Sequence, residues 1–173
     1  MLSSALLSAV MTFAAATAPV SPAAEAPSLD LKQEALTAHN EARARYGAAP
    51  LSWNDALYSD ALAWARSCKF QHSVSGGAYG ENLAAGAPAL SVRDAVRLWV
   101  DEAKKYDYDN PGFSAATGHF TQVVWKSTRQ VAVAVANCPA GTIFSVPSVF
   151  VVARYTPPGN YLGQFAVNVG RPV

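Results

Sequence analysis

Charge is what this sequence has least of. Asp, Glu, Lys and Arg make up 14% of its 173 residues, against about a quarter in an average soluble domain. The 13 basic and 12 acidic residues nearly cancel. A net charge of +1 gives no case for nucleic acid or an anionic membrane as the main partner. Histidine occurs only at His39, His72 and His119, and cysteine only at Cys68 and Cys138. No HExxH, no GxSxG and no phosphate-cradling glycine loop is present, nor a free cysteine placed as a nucleophile. That argues against the common metalloprotease, serine hydrolase and nucleotide-binding arrangements. The apolar run at the start is too short and too rich in Ala for a membrane span, so no transmembrane segment is expected.

What is present supports one folded domain, with 51% apolar residues to build its core. Met1 to Ala18 carries no charged side chain and ends on the small residues Ala16-Thr17-Ala18. This reads as a secretory signal over 1–18, with cleavage near Ala23 or Ala24 as an alternative. The Pro/Ala/Ser-rich stretch that follows reads as a linker over 19–29, leaving a domain over 30–173. In a secreted chain the two cysteines read as one disulfide, and two buried thiols are the alternative.

The pattern starts with helices. Asp30 is placed to cap a helix from Leu31 that stops at Gly47. Asn54 or Asp55 caps a second over Ala56 to Cys68, with Leu57, Ala61, Trp64, Ala65 and Cys68 on one face. Gln71 to Pro88 reads as a glycine-rich loop with one helical turn at Glu81 to Ala84. Ser91 caps a third helix, Val92 to Tyr106. The last third is rich in Val and aromatics. "QVAVAVANC" alternates large and small as a half-buried strand does, and Val149 to Tyr155 is a second strand. Thr121 to Trp125 fits either a strand or a helical turn. Helices packed on a central, mostly antiparallel sheet follow.

His39 lies mid-helix and reads as a packed residue. His72 and His119 sit at loop edges, where function is commonly carried. Glu81 and Glu102 lie where they can converge with them. Two imidazoles and two carboxylates in one cleft allow three chemistries: holding a divalent ion, acid–base work, or a paired polar network that ties loops to the sheet.

Four segments carry a family resemblance: "HNEARARYGAAPLSWNDAL", "SGGAYGENLAAG", "GHFTQVVW" and "YTPPGNYLGQF". Together they resemble the CAP superfamily of cysteine-rich secretory proteins, antigen 5 and pathogenesis-related group one proteins. "GHFTQVVWKST" with "ANC" is most similar to its fungal, secreted, sterol-binding branch. The resemblance implies an α+β fold, a three-layer α-β-α sandwich with a central mostly antiparallel sheet. It also implies a cleft lined by His72, Glu81, Glu102 and His119. Some relatives bind a divalent cation, zinc or magnesium, which here falls to His72 and His119. None is required, and no general catalytic activity follows from the tetrad. Many relatives carry cysteines at the positions of Val133 and Ala153, so one disulfide is absent here, and Cys68–Cys138 matches the one that remains.

Sterol binding in that branch is attributed to the loop before the signature histidine. Here that implies Tyr108, Pro111, Gly112, Phe113, Ser114, Phe120 and Trp125, although Trp125, inside "QVVW", also fits a core position. Ser114, Thr117 or Asn110 can meet the single polar group of a sterol. Relatives also bind fatty acids between two helices, here those starting at Leu31 and Val92. The function implied is a secreted lipid-binding protein that binds and exports sterols, sterol esters or fatty acids, in fungal virulence or detoxification, and not an enzyme. A metal-dependent hydrolase, or an effector recognised by a host surface protein, are the alternatives.

Overall fold

The structure is a computed structural model that describes residues 26–173. The expected signal peptide and most of the expected linker lie outside the described residues. Helix α1 spans Leu29–Arg45, and its cap is Ser28, whose hydroxyl accepts from the Leu31 amide at 3.1 Å. Asp30 therefore sits inside the first turn rather than before it, where its charge still suits the helix dipole. Tyr46 closes the helix, and Gly47 follows with φ +65°. Strand β1 (Ser52–Trp53) leads to α2 (Asp55–Arg66), capped by Asn54. Cys68 lies beyond α2 with φ +52°, which turns it out of the helix line and corrects the expected end.

Strand β2 (Gly80–Gly86) replaces the expected helical turn at Glu81 to Ala84. Glu, Leu and Ala prefer helix, but seven consecutive pairings with a neighbouring strand override that preference. Helix α3 runs Val92–Asp101, capped by Ser91, and then tightens into a 3-10 turn over Glu102–Lys105. That too is shorter than the expected helix to Tyr106. Helix α4 (Gly118–Val123) settles the ambiguous segment as helix. Strands β3 (Gln130–Cys138) and β4 (Ser148–Thr156) precede a short α5, Phe165–Asn168.

The sheet order is β1-β3-β4-β2, antiparallel except for β1 beside β3. Alternation along β3 builds two cores. Val131 and Val133 face α1, α3 and α4, together with Val151, Ala153 and Tyr155 of β4. Ala132, Ala134 and Ala136 face α2 with Phe150 and Val152, against Ala61 and Ala65. Small residues on both α2 and β3 let helix and sheet approach closely, while the valines fill the thicker side. The result is the expected three-layer sandwich. Cys68 and Cys138 are bonded across it, with a sequence separation of 70. Val133 and Ala153 stand directly opposite each other, the geometry that the missing cross-strand disulfide requires.

His39 is packed, as its place in α1 implies. Its Nδ1 lies 2.8 Å from the Ala35 carbonyl, and its Nε2 accepts from Tyr155 Oη at 2.9 Å. Burial holds its pKa at about 4, against an ordinary 6.5. The group is thus neutral in both folded and unfolded states above pH 6.5. As pH falls below that, the unfolded chain takes up a proton that the folded one refuses until about pH 4. Stability should drop by up to about 3 kcal/mol across that window. Unfolding curves at pH 7 and 4.5, compared with those of His39→Gln, check this: the variant should show the smaller drop.

Candidate functional site

The expected tetrad comes together as two pairs. On the loop after α2, His72 places Nδ1 3.1 Å from Glu81 Oε1, and its side chain is 61% exposed. Glu81 stands on β2 opposite Arg154 of β4. Its carboxylate accepts from the Ser73 amide (2.9 Å), Ser73 Oγ (2.6 Å) and Arg154 Nε (3.2 Å). Burial alone would raise its pKa. The hydrogen bonds from His72 and Ser73 and the charge of Arg154 outweigh that and hold it at about 2. Arg154 also donates to Ser73 Oγ and lies 4.2 Å over the Tyr79 ring.

The second pair has a different scaffold. The 3-10 turn after α3 turns Glu102 toward the start of α4. There Oε2 accepts the amides of His119 (3.0 Å) and Phe120 (3.1 Å), and Oε1 lies 2.7 Å from His119 Nδ1. Thr117 makes no side-chain cap. Glu102 therefore supplies, from another element, the acceptor that the first amides of α4 need. Trp99 of α3 stacks on the His119 ring at 6.3 Å. Asn82 donates to the His119 carbonyl (3.0 Å) and to Tyr155 Oη (3.3 Å), which joins the cleft to His39 in the core.

Both histidines present Nδ1 to a glutamate, and neither Nε2 has a hydrogen-bond partner among the described residues. The cavity between them is about 300 Å³, lined by His72, Glu81, Asn82, Phe113, Ala115, Gly118, His119 and Asn160. Among the described residues, no group of three or more His, Cys, Asp or Glu is placed to hold a metal ion. The two imidazole nitrogens are the donors left, because the glutamates already face histidine, serine, arginine and backbone amides.

The signature segments lock into each other. Thr121 Oγ1 donates to Asn160 Oδ1 (2.7 Å), and Asn160 Nδ2 donates to the Gly118 carbonyl (2.9 Å). Gln122 accepts from the Gly159 amide (2.8 Å) and donates to Thr128 Oγ1 (3.2 Å). A Cβ on Gly80 would lie 2.0 Å from Gln122 Oε1, and one on Gly159 would lie 2.8 Å from the Trp125 ring. Both glycines are required by this close approach.

The loop expected to catch lipid is only partly available. Phe113 is 56% exposed and packs on Gly118 and Phe165. Pro111 and Ser114 are exposed and Tyr108 is half-buried, its ring against Tyr106 and Phe120. Phe120 and Trp125 are fully buried, a correction to the expected binding set, with Trp125 in the core position it also fitted: Phe120 in α4 packs on Tyr46, and Trp125, just past that helix, packs on Phe165. The expected polar partners are engaged locally. Asn110 Nδ2 donates to Asp107, Ser114 Oγ accepts the Ala116 amide, and Thr117 is buried. Sequence reasoning missed Arg154, Asn82 and Asn160. Arg154 had a visible signal, a charge inside the apolar run "VVARY".

A second hollow of about 370 Å³ lies between α1 and α3. Ala38, Ala42, Val96 and Val100 form its apolar floor, and Glu41, Arg45, Arg93, Arg97 and Asp101 complete its lining. Arg93 pairs with Glu41 and Arg97 with Asp94. The Arg45 guanidinium has no partner among the described residues.

This chain belongs to the cysteine-rich secretory protein family, CAP, which it matches over residues 36–155. Golgi-associated plant pathogenesis-related protein 1 of Homo sapiens is 40% identical over 147 residues, covering 80% of this chain and 92% of that one. Protein PRY2 of Saccharomyces cerevisiae is 38% identical over 143 residues, covering 81% of this chain and 41% of that one. A crystal structure of NaASP2 with Zn2+ shares the fold, with a TM-score of 0.67 at 24% identity, over 84% of this chain and 88% of that one.

Proposed function

We propose that this CAP protein is a secreted carrier of apolar lipids, with fatty acids in the α1–α3 hollow and a sterol or sterol ester against Phe113. The observation that carries the reading is the hollow itself: an apolar floor open to solvent, beside the Arg45 guanidinium, which has no partner among the described residues. Its volume lies at the low end of small-ligand pockets, which suits a single acyl chain better than a bulky ligand. A fatty acid carboxylate supplies the partner that Arg45 lacks. The exposed Phe113 favours the sterol site, and burial of Phe120 and Trp125 narrows that site to one ring. The resemblance of "GHFTQVVWKST" to the sterol-binding branch supports this reading. Secretion fits the Cys68–Cys138 disulfide, which persists in oxidising compartments.

A divalent cation is a secondary ligand in this proposal. His72 and His119 would hold it through Nε2, with water completing the shell. Imidazole donors favour zinc over magnesium, and a fold neighbour crystallised with Zn2+ points the same way. We assign no hydrolytic role. Glu81 is fixed by an amide, a hydroxyl and a guanidinium, and Glu102 by two amides, so neither is a free base aimed at a substrate.

Titrations with radiolabelled palmitate and cholesterol test the carrier reading. Arg45→Glu should weaken palmitate binding about tenfold, the scale of one charge-assisted contact, and leave cholesterol alone. Phe113→Ala should do the reverse. Wild-type protein that retains neither lipid refutes the proposal.

A further inference from the structure

A third hollow, of about 450 Å³, lies where α2 meets the loop that leads into β2, and neither the tetrad cleft nor the α1–α3 site uses it. Asp60, Ala63 and Trp64, at i, i+3 and i+4 of the helix, line one side. Ser73, Val74 and Tyr79 line it from the loop, and Arg154 from β4. Both aromatic rings are held in place. Trp64 Nε1 donates to the Gln71 carbonyl at 3.0 Å. Tyr79 Oη bonds Ser73 Oγ at 2.8 Å, and its ring lies under the Arg154 guanidinium. Arg154 is engaged on one side only: Nε donates to Glu81 and Nη2 to Ser73, whereas Nη1 has no partner among the described residues. The Arg154 side chain is 4% exposed. Nη1 is nevertheless not among the atoms that the fold seals off unpaired, which are Tyr106 Oη and Ser148 Oγ. Its N–H groups therefore reach solvent at the hollow that Arg154 lines. The Asp60 carboxylate on the same lining is exposed and has no partner among the described residues.

We propose that this hollow binds a neutral oligosaccharide. The chemistry of the lining selects the class. Glu81 cancels the Arg154 charge and Asp60 repels anions, which disfavours a carboxylate or phosphate ligand, while Arg154 disfavours a cation. A wholly apolar ligand would leave both the guanidinium and the carboxylate dehydrated and unpaired. A sugar ring meets each demand: its C–H face covers Trp64 or Tyr79, one hydroxyl accepts from Arg154 Nη1, and another donates to Asp60. An extended peptide fits less well. Its repeated carbonyls need a row of donors, and Trp64 has already given its N–H to Gln71. The rings and the guanidinium are fixed before any ligand arrives, so little side-chain freedom is lost on binding. This site is independent of the lipid-carrier reading.

The test is calorimetric titration of the intact, disulfide-bonded protein with cellohexaose, laminarihexaose and chitohexaose. Wild-type protein should bind at least one of them. Trp64→Ala should weaken that binding about tenfold and Asp60→Ala about fivefold, with palmitate binding unchanged in both. Asp60 is exposed and unpaired among the described residues, so Asp60→Ala should melt as wild type does, and it decides the matter alone if Trp64→Ala fails to fold. Wild-type protein that binds none of the three sugars overturns the proposal. So does either variant, once folded, that binds as tightly as wild type. Capture of a proline decamer that Trp64→Ala abolishes, with no sugar bound, also overturns it: the hollow would then take a peptide.

Discussion

Arg43→Met should lower the free energy of unfolding by about 3–5 kcal/mol, with the denaturant midpoint shifted and the slope unchanged. Arg43 is fully buried in α1 and has no acidic partner among the described residues. Its guanidinium donates to four carbonyls: Ala49 (2.7 Å), Val123 (2.9 Å), Trp125 (2.9 Å) and Thr128 (3.1 Å). Val123 and Trp125 lie at the C-terminal end of α4, where a helix leaves its carbonyls unsatisfied and a cation is favoured. Burial lowers the arginine pKa to about 10, so it stays charged at neutral pH. Met fills similar space but offers no donor, which leaves the carbonyls dry and unpaired. Lys should recover little, because one ammonium cannot span four acceptors in a planar fork. Urea unfolding of both variants decides this. A loss under about 1 kcal/mol for Met would mean that water takes over the carbonyls and that the guanidinium is dispensable.

The same residue shows why part of this protein could be read from its sequence and part could not. Alternation in "VAVAVANC" survives into the structure because each strand faces two different layers, valines to one and alanines to the other. Caps at Asn54 and Ser91 are local signals, and both hold. Strand β2 was hidden because "ENLA" owes its conformation to β4, some seventy residues away. Arg43 was hidden for a related reason: its partners are backbone carbonyls, which leave no mark in composition. Glu102 was visible as a candidate, but its capping of α4 depends on a 3-10 turn that helix periodicity does not announce. Phe120 was misplaced because the face an aromatic occupies depends on whether the segment is helix or strand, whereas the core position that Trp125 also fitted is the one it takes. The ambiguity over Thr121 to Trp125 left that open.

Removing the disulfide, by Cys68→Ala with Cys138→Ala, should cost about 4 kcal/mol. The first contribution is entropic: the crosslink closes a loop of sequence separation 70, and a loop of that length restricts the unfolded chain by that amount in the chain-entropy model. The second is local. β1 covers only Gln130 and Val131 of β3, so the rest of that strand edge, down to Cys138, has no strand beyond it among the described residues. Alanines of β3 packing on α2, and the bond from Cys68 to Cys138, hold that edge against the helix layer. His72 follows Cys68 by a few residues, so the same bond anchors the loop that carries one half of the cleft. Loss of the bridge should therefore loosen the His72–Glu81 contact before the His119–Glu102 contact, which α3 and α4 secure independently. Urea unfolding of oxidised and double-alanine protein measures the first effect, and imidazole proton resonances in NMR follow the second. Equal broadening of both imidazoles would show that the cleft responds as one unit and that the bridge acts only through the unfolded chain.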